Sequence, residues 1–188
     1  MTNVKKVYFL LVMVFVISGC GTSRQDLNIS KPPVQENETD HTRKINVNLL
    51  TSEKKLPPDF EEAAFKRQTV PYYQYLVTKA EDQTEYTRLW SYFQLTQSDF
   101  SVNFAENDVL FIGVRESGTC PYDLGDVRMN AEGTELTIPL LGQGEVCTAD
   151  ATPKTFVFEV TKEEGKRIED LIIEEGSTKT AVPFAALN

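Results

Sequence analysis

Six consecutive residues, Val109-Leu110-Phe111-Ile112-Gly113-Val114, carry no polar side chain. A strand wetted on one face alternates apolar with polar residues, so an unbroken run of this length predicts a central strand buried on both faces. The segments around it read the same way. Tyr72 to Thr78 is rich in β-formers and reads as a strand, and Thr155 to Val160 (TFVFEV) reads as another. Glu135 to Leu140 alternates well and follows Ala131-Glu132-Gly133, which reads as a hairpin turn. Asp123 to Met129 alternates less cleanly.

One helix interrupts this pattern. Asp82-Gln83-Thr84-Glu85 has the form of a capping box, with Asp82 at the N-cap and Glu85 at N3. Tyr86, Leu89, Trp90 and Phe93 follow at helical spacing on one face. Trp90 is therefore read as core packing of a short helix on a sheet, with ligand stacking as the sharper alternative. Residues 46–69 stay open, since Phe60, Ala63, Ala64 and Phe65 fit either a short helix or a docked connector. At the end of the chain, Thr161 to Glu164 offers another capping box. Against it, Asp170 to Glu175 and Lys179 to Phe184 read as a closing hairpin around Gly176-Ser177. The hairpin is favoured because Gly165 weakens a helix. The expected fold class is α+β and β-rich, a mostly antiparallel, sandwich-like domain with one or two short helices.

The first twenty residues are of another kind. Lys5 and Lys6 precede an eleven-residue apolar run from Val7 to Ile17, with no acid before Cys20. A spanning helix needs about 20 apolar residues, so the run fits the hydrophobic core of an export signal. Ile17-Ser18-Gly19-Cys20 resembles the bacterial lipobox. That resemblance implies cleavage before Cys20, acylation of its thiol and a lipid anchor on the extracytoplasmic face of the cell membrane. Residues 1–19 would be the signal peptide and 20–45 a lipid-anchored flexible tether, rich in polar residues with Pro32-Pro33. Residues 46–188 would form a single β-rich globular domain. Cleavage would leave 169 of the 188 residues, with 17 basic against 28 acidic side chains.

Charge and chemistry narrow the functions. The whole chain carries a formal net charge of −9, which argues against a nucleic-acid binder that must neutralise phosphates. Its one histidine, His41, lies in the tether, a poor place for a positioned catalytic imidazole or a zinc ligand. Neither a cofactor nor a metal site is expected. Setting Cys20 aside, Cys120 and Cys147 remain, and in an exported protein such a pair reads as a disulfide. A redox role would want a CxxC spacing or a nearby imidazole, and neither is present.

The bridge would pin two Gly-containing loops side by side. Those loops carry Arg115, Glu116, Tyr122, Asp123, Glu145 and Asp150, the candidate protein-binding residues, because loops on a rigid sheet are where function gathers. The stretch from Asp108 to Lys162 pairs an apolar strand with a Gly-containing turn before Pro121-Tyr122. A second β pair follows, and Thr152-Pro153-Lys154-Thr155-Phe156 opens a further strand. This order resembles the small C-terminal domain of PrcB-type lipoprotein subunits, which stabilise a surface protease complex. That family's typical turn is Thr-Gly-Gly-Tyr, where this chain has Gly118-Thr119-Cys120-Pro121-Tyr122. The resemblance implies a non-enzymatic accessory that binds another extracytoplasmic protein, with no active site carried over. Two alternatives stand beside it. One is a protease inhibitor using the same loops, and the other a glycan or cell-wall hydrolase using carboxylates such as Asp123, Asp126 and Asp150.

Overall fold

A computed structural model describes residues 42–97 and 100–187. Cys20, the signal, His41 and almost all of the tether lie outside the described residues. Eleven strands and three short helices follow one another: β1 (Arg43–Lys44), β2 (Asn48–Glu53), α1 (Phe60–Ala63), β3 (Phe65–Lys66), β4 (Gln74–Ala80), α2 (Gln83–Tyr92), β5 (Asn107–Glu116), β6 (Tyr122–Leu124), β7 (Arg128–Met129), β8 (Glu135–Gly142), β9 (Thr152–Thr161), α3 (Lys162–Gly165), β10 (Asp170–Glu175) and β11 (Thr178–Val182). No helix among the described residues is long and apolar enough to cross a membrane.

The strands form two sheets. One runs β2-β9-β5-β4-β3, antiparallel throughout, and places the apolar run of β5 at its centre. Alternation along β5 then divides that run between two cores. Leu110, Ile112 and Val114 pack with Tyr75, Val77, Phe156, Phe158 and Val160 against the second sheet. Val109 and Phe111 face the other way, toward Tyr86, Leu89, Trp90 and Phe93 of the α2 segment and Phe60 of α1. The molecule is thus sheet, sheet and helices in three layers, and the expected double burial of β5 is what the structure has. Trp90 is core packing, 5.3 Å from the Tyr86 ring and 6.4 Å from that of Phe111.

The second sheet runs β1-β7-β8-β10-β11, with β6 also on β8. The irregular stretch 123–129 proves to be two short strands along one partner. Leu124 faces Leu140 while Arg128 faces Thr137, so four steps on one side span three on the other, as at a bulge. The predicted turn at 131–133 joins β7 to β8, and Gly133 takes the positive φ (76°) that it requires. The closing hairpin is present as β10–β11. The competing capping box is present too, since the Thr161 hydroxyl accepts from Glu164 N at 3.3 Å and starts α3.

Pairings and boundaries add detail to these expectations. β10 pairs with β8 in parallel, a long-range pairing that adjacent sequence could not announce. The strand expected from Tyr72 begins at Gln74, because its pairing starts at Gln74 with β3 and at Tyr75 with β5, and Tyr72 is left exposed. The folded body starts earlier than residue 46. Arg43 and Lys44 pair with β7, and Ile45 is buried, its amide donating to Val127 O at 3.0 Å. An isolated isoleucine in polar surroundings gives too little pattern to read as core. Asp82 caps α2 as expected, accepting from Thr84 and Glu85 amides at 2.8 Å. Glu85 reaches back to the amide of Glu81 rather than to that of Asp82.

Candidate functional site

Both sheets end together where β5, β8 and β10 finish and β4, β6 and β9 begin. Across this end the Tyr75 hydroxyl of one sheet donates to Glu175 Oε1 of the other at 2.9 Å. Two loops leave it, 117–121 after β5 and 143–151 after β8, and Cys120–Cys147 joins them with Cα atoms 5.3 Å apart. Hydroxyls tie the same loops. Thr148 N donates to Thr119 Oγ1 at 2.9 Å, and the hydroxyls of Ser117, Thr119 and Thr148 lie within 3.3 Å of one another. Gly118 N donates to Asp150 Oδ1 at 3.0 Å, and the Thr148 hydroxyl donates to the same atom. Hydrogen bonds from Thr148 and Gly118 hold the Asp150 carboxyl below its usual range.

The six candidate residues separate into two groups. Arg115, Asp123, Glu145 and Asp150 are exposed. Arg115 is nonetheless engaged, its guanidinium reaching Glu61 Oε1 at 2.5 Å and Ala151 O at 3.1 Å and lying over the Phe60 ring. Glu116 and Tyr122 are corrections to a surface reading. Glu116 is only 2% exposed, and its Oε2 accepts from Tyr122 N at 2.7 Å. Tyr122 is half-buried, with its hydroxyl donating to Glu175 Oε2 at 2.7 Å. Both extend inward-facing positions at strand ends, so they build the floor of the site and not its surface. Two of the three carboxylates considered for hydrolysis have other partners, Lys44 for Asp126 at 2.6 Å and Gly118 with Thr148 for Asp150.

Sequence reasoning missed the central group of this end, Glu175. It is 7% exposed, and three tyrosine hydroxyls surround it, those of Tyr75, Tyr122 and Tyr73. Burial raises its carboxyl above the ordinary glutamate range, more than the tyrosine hydrogen bonds lower it. Burial first, and then the charge and hydrogen bonding of Glu175, push the Tyr75 hydroxyl up in turn. Tyr122 is pushed up by the same causes. A period-two signal was present, because Leu171, Ile173 and Glu175 fall on one face of β10.

Around this floor the loop 143–151, the end of β8 and the segment before β4 present apolar side chains to solvent. Val70, Tyr72, Leu141 and Val146 are all exposed, Val146 at 87%. No group of three or more metal-ligating side chains occurs among the described residues. Comparison with family models, with curated proteins and with solved structures finds no match to this chain.

Proposed function

We propose that this protein is a lipid-anchored accessory on the extracytoplasmic face of the cell membrane that binds or stabilises another envelope or surface protein. Cys20 is the acyl acceptor in this reading, and residues up to about 42 span the gap between bilayer and folded domain. The observation that carries the binding role is the loop-bearing end. It holds Val146 exposed on a loop that a disulfide and a hydroxyl network keep in place, with Leu141 at the end of β8 and Val70 and Tyr72 on the segment before β4 exposed at the same end. Apolar side chains on pre-ordered loops lose little entropy on docking and gain by leaving water. The PrcB-type resemblance suggests a protease complex as the partner.

Cross-linking on intact cells tests the reading, comparing the native chain with Val146→Asp and Glu145→Ala. A specific cross-linked partner is expected for the native chain and its loss for Val146→Asp. An identical partner set from both would remove these loops as the docking surface. Where the partner is a protease, its activity in the presence of the purified domain separates stabilisation, which preserves activity, from inhibition, which lowers it.

A further inference from the structure

A small cavity opens beside the tyrosine-held carboxyl. Its volume is about 180 Å³, and Tyr72, Tyr73, Gln74, Arg115, Ala151 and Glu175 line it. Pockets for drug-sized ligands span roughly 300–1,000 Å³, so this one suits the end of a side chain or a short-chain ligand. We propose that the cavity binds a primary ammonium group, whether of a small alkylamine or of a lysine side chain, with Glu175 as its counter-ion and the Tyr72 and Tyr73 rings as its walls.

The chemistry of the lining favours a cation. A carboxylate offers about four lone-pair sites, and the Tyr75 and Tyr122 hydroxyls take one on each oxygen. Those donors orient Glu175 but are neutral, so they bring no charge to balance it. Tyr122 also donates its backbone amide to a second buried acid, Glu116 of β5. Arg115 is the one cation among the lining residues, and Glu61 and Ala151 O already hold it. An entering anion would meet an arginine already matched and a buried carboxyl. An entering ammonium would meet that carboxyl and two aromatic rings, the pairing that cation–π attraction rewards most when water is excluded. The chain's net charge of −9 also draws cations toward it. This inference is independent of the partner-docking reading, since it needs no partner.

The test is a titration of the full chain with n-butylammonium chloride, followed through the tyrosine ring signals and the Glu175 carboxyl carbon by NMR. Butyrate and n-butanol serve as matched comparisons, and Nα-acetyl-lysine amide supplies the side-chain source. Saturable shifts with butylammonium and with acetyl-lysine amide are expected, together with a fall in the Glu175 titration midpoint. Glu175→Gln should weaken butylammonium binding about tenfold or more through loss of the charged partner. The amide oxygen of this variant would still accept from one of the tyrosine hydroxyls while its NH2 group donates to the oxygen of the other, and a native amide spectrum checks that it folds. Tyr72→Ala, at an exposed ring, probes the same cavity without touching the core and should weaken binding several-fold. Val146→Asp should leave it unchanged, which separates this site from the docking loops. Equal or tighter binding of butyrate, absence of saturation, or a Glu175→Gln variant that binds butylammonium as the native chain does would each overturn the proposal.

Discussion

At one end of the sandwich Asp108 is 0% exposed, and Lys162 Nζ sits 2.8 Å from its Oδ1. At the other end Glu175 is 7% exposed and meets only tyrosine hydroxyls. The first end is laced with ions: Lys79 pairs with Glu81 at 2.6 Å, Arg43 pairs with Glu164 at 3.1 Å, and Lys162 also donates to Glu81 O. It is closed by α3, which carries the chain from one sheet to the other. The second end is open, with a cavity, two stapled loops and exposed apolar residues. A buried carboxylate with a matched ion is a structural solution, whereas one held by neutral donors is poised to accept a charge. The difference makes the first end the place to probe stability and the second the place to probe the proposed binding.

The sharpest way to break that contrast is to make the first end resemble the second. Lys162→Met would strand Asp108 without its counter-ion. It is expected to lower the unfolding midpoint more than any other single substitution named here, as breaking a buried pair does. Combining it with Asp108→Asn should recover much of the loss, and a double-mutant cycle by denaturant unfolding measures the coupling. If Lys162→Met unfolds like the native chain, the ion pair is not what secures this end.

Next in size is the staple of the open end. Replacing Cys120 and Cys147 by Ser frees a 27-residue separation in the unfolded chain and should cost about 3–4 kcal/mol by loop-closure entropy. Hydrogen exchange should show the added opening in residues 117–121 and 143–151 before the Asp108 end. Smaller again is Asp82→Ala, which removes the two N-cap hydrogen bonds of α2 and should cost about 1 kcal/mol. Trp90 fluorescence, from a core residue of that helix, reports the unfolding.

The same contrast explains what could be read from the sequence. Elements carried by local pattern were legible: the β5 run, the Asp82 cap, the β7–β8 turn, the β10–β11 hairpin and the cysteine pair. Pairings between distant segments were not, as with β8 and β10 in parallel. The two buried acids of β5 were equally opaque. Asp108 and Glu116 lie on the inward face of that strand with Leu110, Ile112 and Val114 between them, yet an acid at a strand end ordinarily signals a turn to solvent. Gly165 misled for a related reason. It argued against a helix, but a Cβ there would collide with the Asp108 carboxylate, so glycine is required where α3 crosses that group. Its backbone carbonyl also accepts from Lys79 Nζ at 3.1 Å.

The smallest expected effect discriminates most finely, because its sign depends on pH. Burial raises the Glu175 carboxyl above 4.5 in the native state, so the folded protein binds its proton more tightly than the unfolded chain. The resulting stability is fully present below pH 4.5 and is lost as pH rises through the native value. Glu61 behaves oppositely, its carboxyl being lowered chiefly by the hydrogen bond from Arg115. Glu81 is likewise lowered, chiefly by the hydrogen bond from Lys79. Their contributions are lost as pH falls through those lowered values, in a window below that of Glu175. Glu175→Gln removes only the upper window. Measured against the native chain by denaturant unfolding, the variant should gain stability as pH rises above 4.5, and the difference should stop changing below it. A pH-independent difference would mean that hydroxyls alone satisfy the buried carboxylate, and the open end would then be as settled as the ion-paired one. Saturating butylammonium should flatten the native chain's decline above pH 4.5 and stabilise Glu175→Gln much less, which ties the stability measurement to the cavity itself.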